Sequence, residues 1–349
     1  MLFGLDGVEI GLIIVFACLF GGILSGFPVA FAIGGAGIIS FGIIAALDSA
    51  GLMVHQAIDL GINFIDTANA YEGYDRVLGS AGGVAEEILG KAVKDRRDQV
   101  VLATKAGAPV GQGPQDRGLS RVHLLREIDK SLRRLQTDWI DLFILHWPDK
   151  HTPLDTTLAA LDHAVRQGKV SHIGISNHSA AQICEFLWLA DQNGWPPMIS
   201  SQIPFSLLKR DFQNELQFCQ QHRIAVTPYQ SLQGGLLTGK YRRGQTPPGD
   251  SRASEKPGWI SHPLEDPLFD KLEVMEGLAA ELGVPPAQFA LAWTLAQPAM
   301  TSLIVGAKRI EQIQDAVAAA SLTLPSEHLT RIDEVFPPPW HQIDPVRGM

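Results

Sequence analysis

The chain has few cysteines: Cys18, Cys184 and Cys219 lie far apart and form no CxxC pair. That spacing excludes a zinc knuckle or a disulfide framework, no metal site is expected, and the pattern fits a reducing compartment. Basic residues are also scarce, with Lys and Arg numbering 28 against 37 Asp and Glu, a formal net charge of −9. Phosphate binding along a nucleic acid calls for a basic stripe, and no cluster of Lys and Arg interleaved with aromatics is present. Nucleic acid is therefore excluded as a partner.

Charge of either sign is missing from Ile10 to Leu47, a run rich in Gly, Ile, Phe and Ala. An apolar run longer than about 18 residues is a membrane-helix candidate. Residues 1–50 are thus expected to form an apolar, transmembrane-like segment, broken near Ser25-Gly26-Phe27-Pro28, with membrane association through residues 10–47. The run is too long for the core of a secretory signal, and Asp6 and Glu9 stand where such a signal carries positive charge. Lys and Arg are absent before Arg76, so charge sets no orientation.

From Leu52 onward short apolar runs alternate with amphipathic stretches. The runs are Asn63–Asp66, Val100–Thr104, Ile140–Leu145, His172–Ser176, Ile199–Gln202, Ile224–Pro228 and Ser302–Val305. Each is short and β-branched or aromatic, as strands buried on both faces are. Between them, Val122–Leu135 places Leu124, Leu125, Ile128, Leu132 and Leu135 on one helical face. Leu154–Arg166 and Ser179–Ala190 read likewise as helices, with Ser179 as N-cap. This alternation predicts an α/β fold with a parallel sheet, and so many units in one continuous core favour a closed (β/α)8 TIM barrel. Such a barrel needs eight strands. The first has no counterpart after Leu52.

A barrel of this kind collects functional residues where strands end, at its C-terminal face. The runs here finish near Asp66, Lys105, His146, Ser176-Asn177, Gln202 and Tyr229. Each has an ordinary alternative. An Asp closing a strand is often an N-cap, a Lys snorkels to solvent, and a lone His is commonly a structural hydrogen-bonding residue. Their convergence on one face is what the ordinary alternatives leave unexplained.

The stretches around these residues resemble the aldo-keto reductase superfamily. They are Asp59–Tyr71, Glu86–Gly107, Asp141–Asp149, Gly168–His178, Ser201–Leu208, Thr227–Tyr241 and Ile304–Ala316, in the family's order. The resemblance implies an NAD(P)H-dependent oxidoreductase that transfers hydride to an aldehyde or ketone, with Asp66, Tyr71, Lys105 and His146 as the catalytic set. Tyr71 is then the general acid, since hydride transfer leaves charge on the carbonyl oxygen and a proton donor must stand beside it. A phenol titrates near pH 10 and needs a neighbouring cation to act as an acid. Lys105 supplies that cation, Asp66 holds it, and His146 orients the carbonyl as a neutral imidazole.

The resemblance also implies that Ser176, Asn177 and Gln202 bind the nicotinamide carboxamide and that Tyr229 stacks on its ring. A packing residue at the barrel rim is the alternative for Tyr229. Gln230 and Ser231 depart from the family's usual Ser-Pro; Gln230, Leu232 and Gly234 continue the cofactor side. Gly306, Lys308, Gln312 and Asp315 fall in the segment that embraces the adenosine phosphates, where the helix opening near Ile310 offers its N-terminus. Ala316 replaces a usual Asn there, which removes one adenine contact. Lys308 and Arg309 favour a 2′-phosphate, hence NADP(H) over NAD(H). No Rossmann GxGxxG is present.

Two features depart from the family. Its opening hairpin and first strand are missing, so either Ala32–Phe41 fills the first slot or the barrel is open there. An open parallel seam leaves backbone groups unpaired. In addition, Gly11–Gly42, and chiefly Gly26–Ala32, resembles the N-terminus of the large permease subunit of TRAP-type dicarboxylate transporters. The expected organisation is an apolar segment over 1–50, a reductase barrel over 51–340 and a tail over 341–349, as in a bacterial-type fusion of a permease start with a reductase. The alternative to an active reductase is a catalytically impaired cofactor-binding module or a truncated fusion product. The expected partner is a small carbonyl compound, with the catalytic domain in the cytoplasm. Loops Glu72–Gly83, Gly107–Leu119 and Tyr241–Pro263, with Trp147 and Trp340, are expected to shape its pocket, and the last loop to be mobile.

Overall fold

The computed structural model of the protein describes residues 51–72 and 79–338. The expected membrane-type segment, the permease resemblance, Trp340 and the tail all lie outside these residues, as does part of the loop after Tyr71. Among the described residues no helix is long and apolar enough to cross a membrane.

Six parallel strands form one sheet in sequence order. They are β1 (Phe64–Asp66), β2 (Val101–Ala106), β3 (Ile140–Leu145), β4 (Val170–Ser176), β5 (Met198–Gln202) and β6 (Ala225–Val226). Helix α1 (51–59) precedes β1. Helices α2 (Val84–Val93), α3 (Arg121–Leu135), α4 (Leu154–Arg166), α5 (Ala180–Asn193) and α6 (Gln213–Gln221) each return the chain to the next strand. After β6 come α7 (Asp266–Glu281), α8 (Pro286–Leu295), α9 (Ile310–Ala320) and α10 (Ser326–Val335).

Local sequence sets the helix ends. Ser120 caps α3 by accepting from His123 N at 3.3 Å, and Gln136 closes it in the left-handed conformation. The face carrying Leu124, Ile128 and Leu135 is buried, as the spacing predicts. Ser179 caps α5 as expected, and Gly194 ends it.

The sheet is curled. Four strand-to-strand steps separate β1 from β5, roughly 19 Å if the sheet were flat. Yet Gln202 Nε2, on β5, donates to Asp66 Oδ1, on β1, at 3.0 Å. Only a sheet bent into a half-barrel brings those ends together. Period-two alternation then divides the side chains. Leu102, Ala106, Phe143, Leu145, Ile173 and Ile175 point outward into the main core, while Phe64, Ala103, Leu142 and Ile144 form a separate inner cluster. The interior is tight at Gly174, where a Cβ would come within 2.4 Å of Ser200 Oγ.

Six of the seven strand runs marked in the sequence are strands among the described residues, in a curled parallel sheet consistent with the expected (β/α)8 barrel; the seventh needs correction. Ser302–Val305 is not a strand. Its neighbourhood lies alongside β6 through Val226 N to Ala299 O and Thr301 N to Val226 O, both 3.0 Å, and Ile304 N to Pro228 O at 2.9 Å. The ladder stops because Pro228 has no N–H to give the next bond. No strand among the described residues pairs with the outer edge of β1.

Candidate active site

The inner-face alternation continues to the C-terminal ends of the strands and changes there from apolar to polar. Asp66 follows Phe64 by two residues, Lys105 follows Ala103, and His146 follows Ile144. Ser176 follows Gly174, and Gln202 follows Ser200. Parallel strands in register pair Ser176 with Gln202 and set Lys105 beside Ile144. One face of a curled sheet therefore collects all these groups.

Lys105 lies within β2, not after it as the sequence suggested, and its side chain has no exposed surface. It does not snorkel. Its ammonium donates to Asp66 Oδ2 at 2.5 Å, Thr67 O at 2.9 Å and Tyr71 Oη at 3.3 Å, so each proton has an acceptor. Burial pulls the Lys105 pKa down, but Asp66 and then Tyr71 outweigh it and leave the pKa above its ordinary value. The group stays cationic. Asp66 is nearly buried, with one carboxylate oxygen turned to Lys105 and the other to Gln202.

Tyr71 sits over this cation, its ring centroid 4.8 Å from Lys105 Nζ, and is 42% exposed. The edge-to-face contact with His146 has ring centroids 5.7 Å apart, and His146 in turn stacks on Trp147 at 5.9 Å. Trp147 is itself half exposed and continues that wall. The structure thus brings Asp66, Tyr71, Lys105 and His146 into one cluster. An ammonium, a phenol and an imidazole around one opening can deliver a proton to an oxygen held between the two rings.

Beside it lies a second polar group. Ser176 Oγ donates to Gln202 O at 2.9 Å, and Asn177 N donates to the same carbonyl at 3.0 Å. Asn177 adopts a left-handed backbone, with φ of 64°, and its Nδ2 reaches His146 O at 3.1 Å. Tyr229 Oη donates to Asn177 Oδ1 at 2.7 Å. Burial first, then Tyr71, push the Tyr229 pKa up to about 12 against the opposing Asn177 bond. Tyr229 is therefore a neutral donor that orients Asn177, and its ring is only partly buried. It is not a core residue.

The remaining cofactor candidates follow in two segments. Gln230, Leu232 and Gly234 lie in the turn after Tyr229, with Gln230 exposed at a φ of 58° and facing a shallow depression shared with Gly258, Ile260 and Ser261. Sequence reasoning singled out these alternate positions and passed over Gln233 between them. Ser231 Oγ and Gln233 Nε2 are buried and have no hydrogen-bond partner among the described residues. Buried donors without partners at the rim of such a site fit an anionic group such as a pyrophosphate. A Gly-rich turn carrying two polar residues was the only sequence signal for them.

Gly306 and Lys308 precede α9, and Gln312 and Asp315 lie on it. Gln312 Oε1 accepts from Lys308 N at 2.7 Å and Arg309 N at 3.2 Å, so this side chain caps the helix start. Asp315 accepts from Gln288 on α8 at 2.9 Å. Lys308 Nζ pairs with both oxygens of Glu255, at 2.9 and 2.8 Å. Loop Tyr241–Pro263 is latched at its root as well, where Arg243 fans to Asp266, Asp270 and Glu273.

Comparison with known proteins points to one family. The sequence profile of the aldo/keto reductase family matches residues 36–336, and so extends into the apolar segment. The chain is 34% identical over 307 residues to L-glyceraldehyde 3-phosphate reductase of Escherichia coli K12, covering 84% of this chain and 86% of that one. It is 35% identical over 312 residues to the uncharacterized oxidoreductase YrpG of Bacillus subtilis, covering 87% and 91%. A "Probable voltage-gated potassium channel subunit beta" of Arabidopsis thaliana is 35% identical over 273 residues, covering 76% and 79%.

Proposed function

Because the chain belongs to the aldo/keto reductase family of oxidoreductases, we propose that it reduces an aldehyde or ketone with NADPH, and that Tyr71 donates the proton. The observation that carries this reading is the Tyr71 hydroxyl 3.3 Å from a fully buried ammonium and edge-on to His146.

The nicotinamide cofactor, when bound, supplies the hydride. The chain's own residues do the rest. Ser176, Asn177 and Gln202 would hold the carboxamide and so fix which ring face meets the substrate. Tyr229 would stack on the ring, and Ser231 and Gln233 would offer donors to the pyrophosphate. His146 and Tyr71 grip the carbonyl oxygen, which polarises it and places it for attack. As charge builds on that oxygen, the Tyr71 proton moves to it. The Lys105 ammonium stabilises the phenolate left behind, and Asp66 keeps the ammonium in place. Lys308 and Arg309 favour the 2′-phosphate of NADPH over the bare ribose of NADH.

The relative that acts on L-glyceraldehyde 3-phosphate supports a small aldehyde as substrate class. The impaired-module alternative finds no support, since every group the proton transfer needs stands within reach of the next.

NADPH titration by intrinsic tryptophan fluorescence, followed by reduction of 4-nitrobenzaldehyde, tests the reading. Wild type is expected to bind and turn over, and Tyr71→Phe to bind with turnover reduced at least ~100-fold. Equal turnover in both proteins overturns the role of Tyr71, and tight NADPH binding without any turnover overturns the reductase reading.

A further inference from the structure

Among the described residues the Tyr71 ring touches Lys105 and His146, and its hydroxyl accepts from Lys105 Nζ. The backbone of the Thr67–Tyr71 turn carries the ring to that place. The centre of that turn is Asn69, a polar residue with no exposed surface.

Bonds from several elements converge on this turn. Asn69 N donates to Lys105 O at 3.0 Å, which ties the turn to the backbone of the lysine itself. Asn69 Nδ2 donates to Glu127 Oε2 on α3, also at 3.0 Å. Tyr71 O accepts from Ala85 N at the start of α2, at 3.0 Å. Gly82 closes the remaining side, since a Cβ there would lie 2.2 Å from Asn69 O.

Glu127 is buried too, and its other oxygen accepts from Lys130 Nζ at 2.9 Å. Burial opposes ionisation of Glu127, but Lys130 and Asn69 more than offset it and hold its pKa below the ordinary value. A charged acceptor on a rigid helix therefore grips the Asn69 amide. The amide oxygen, in contrast, is buried without a partner among the described residues. An apolar side chain of the same size would spare the unmet amide oxygen but leave the buried Glu127 Oε2 without its donor. The asparagine is what ties the turn to α3.

We propose that Asn69 and Glu127 are positioning residues for the proton donor: Glu127 on α3 fixes the Asn69 amide, and Asn69 sets the Tyr71 hydroxyl at its distance from Lys105. This rests on the reading of Tyr71 as the acid. Neither residue touches the reacting groups.

The test compares wild type with Asn69→Leu and Glu127→Gln, each alone and in the Tyr71→Phe background. For Asn69→Leu, kcat for 4-nitrobenzaldehyde is expected to fall about 10- to 100-fold, the range that misplacing a catalytic group by about 1 Å produces. KM and NADPH affinity should stay within about twofold, because the substrate and cofactor contacts are untouched. Glu127→Gln keeps an acceptor and should show a smaller loss of the same kind. In the Tyr71→Phe background neither substitution should reduce the residual rate further.

A second readout is independent of turnover. In protein labelled with 13C at the tyrosine ζ carbon, the Tyr71 signal is identified by its loss in Tyr71→Phe. Both variants are expected to displace it while leaving the Tyr241 signal in place. An unmoved Tyr71 signal in a folded variant overturns the proposal, as does an equal loss of rate with Phe at position 71. Should Asn69→Leu fail to fold, Glu127→Gln decides by the same readouts. A wild type without turnover would sink the reductase reading alone, since the labelled spectra still report whether Asn69 and Glu127 place the ring.

Discussion

Asp66 and Lys105 form an ion pair at 2.5 Å in which the ammonium has no exposed surface. A buried pair of this kind adds little stability over an apolar substitute, but removing one partner strands the other charge, at a cost of about 3–5 kcal/mol. Asp66→Asn keeps the shape and the bond from Gln202 while deleting the countercharge. The variant is expected to lose most of its turnover and a large part of its stability, and its urea midpoint should fall. Asp66→Asn with unchanged kcat and midpoint would show that Lys105 does not depend on Asp66.

On the proposed NADPH reading, Glu255 competes with the cofactor 2′-phosphate for Lys308. Its two oxygens face Lys308, yet both side chains are partly exposed, and exposed pairs are weak. A 2′-phosphate is therefore expected to displace Glu255 from Lys308. Neutralising the competitor in Glu255→Gln should tighten NADPH about two- to fivefold, and Lys308→Met should weaken it by about tenfold. NADH affinity should not respond in either variant. Equal shifts for both cofactors would place Lys308 away from the 2′ position.

Much of this site was legible because it rests on local rules. Period two along β2 and β3 puts Lys105 and His146 on the inner face, and the run lengths marked the strands. Ser179 announced the start of α5 by its own chemistry. What sequence did not show depends on distant partners. The failure of Ser302–Val305 to pair as a strand comes from Pro228 on its neighbour. Lys105 read alone is a snorkelling side chain, and only the carboxylate of Asp66, 39 residues away, makes its burial tenable. Asn69 and Glu127 carried no sequence signal because their bond spans 58 residues and each type is ordinary on its own. The ion pairs that Arg243 and Lys308 make around loop Tyr241–Pro263 were hidden in the same way.

Gly174 tests the interior of the half-barrel. A methyl group there meets Ser200 Oγ at 2.4 Å and the Ile144 and Leu142 side chains at 3.2 and 3.3 Å. Overpacking of this kind costs about 1–3 kcal/mol. Gly174→Ala should lower the denaturation midpoint accordingly, and Ser200→Gly on the next strand should recover part of the loss. Full additivity of the two substitutions would place the clash elsewhere.

Acid should loosen the floor of the proposed nicotinamide site through His178. This residue follows Asn177 and is buried, with Nδ1 donating to Ser176 O at 2.8 Å and its ring edge-on to Phe186. Burial lowers its pKa from 6.5 to about 4, against a small opposing effect of the Ser176 bond. Between those values the unfolded chain binds a proton that the folded chain refuses. Stability is therefore complete above pH 6.5 and declines as pH falls toward 4, by roughly 3 kcal/mol if the whole shift is expressed. His123 shifts in the same direction, and carboxylates also contribute to acid loss, so wild type alone does not isolate the effect. The comparison is with His178→Gln, which keeps a donor for Ser176 O but has no charge to gain. Urea midpoints at pH 7 and pH 4.5 should differ less in this variant than in wild type. NADPH affinity at pH 4.5 should likewise be better retained, because Ser176 and Asn177 keep their positions. A midpoint difference between the two proteins that does not vary with pH would exclude His178 as the group responsible.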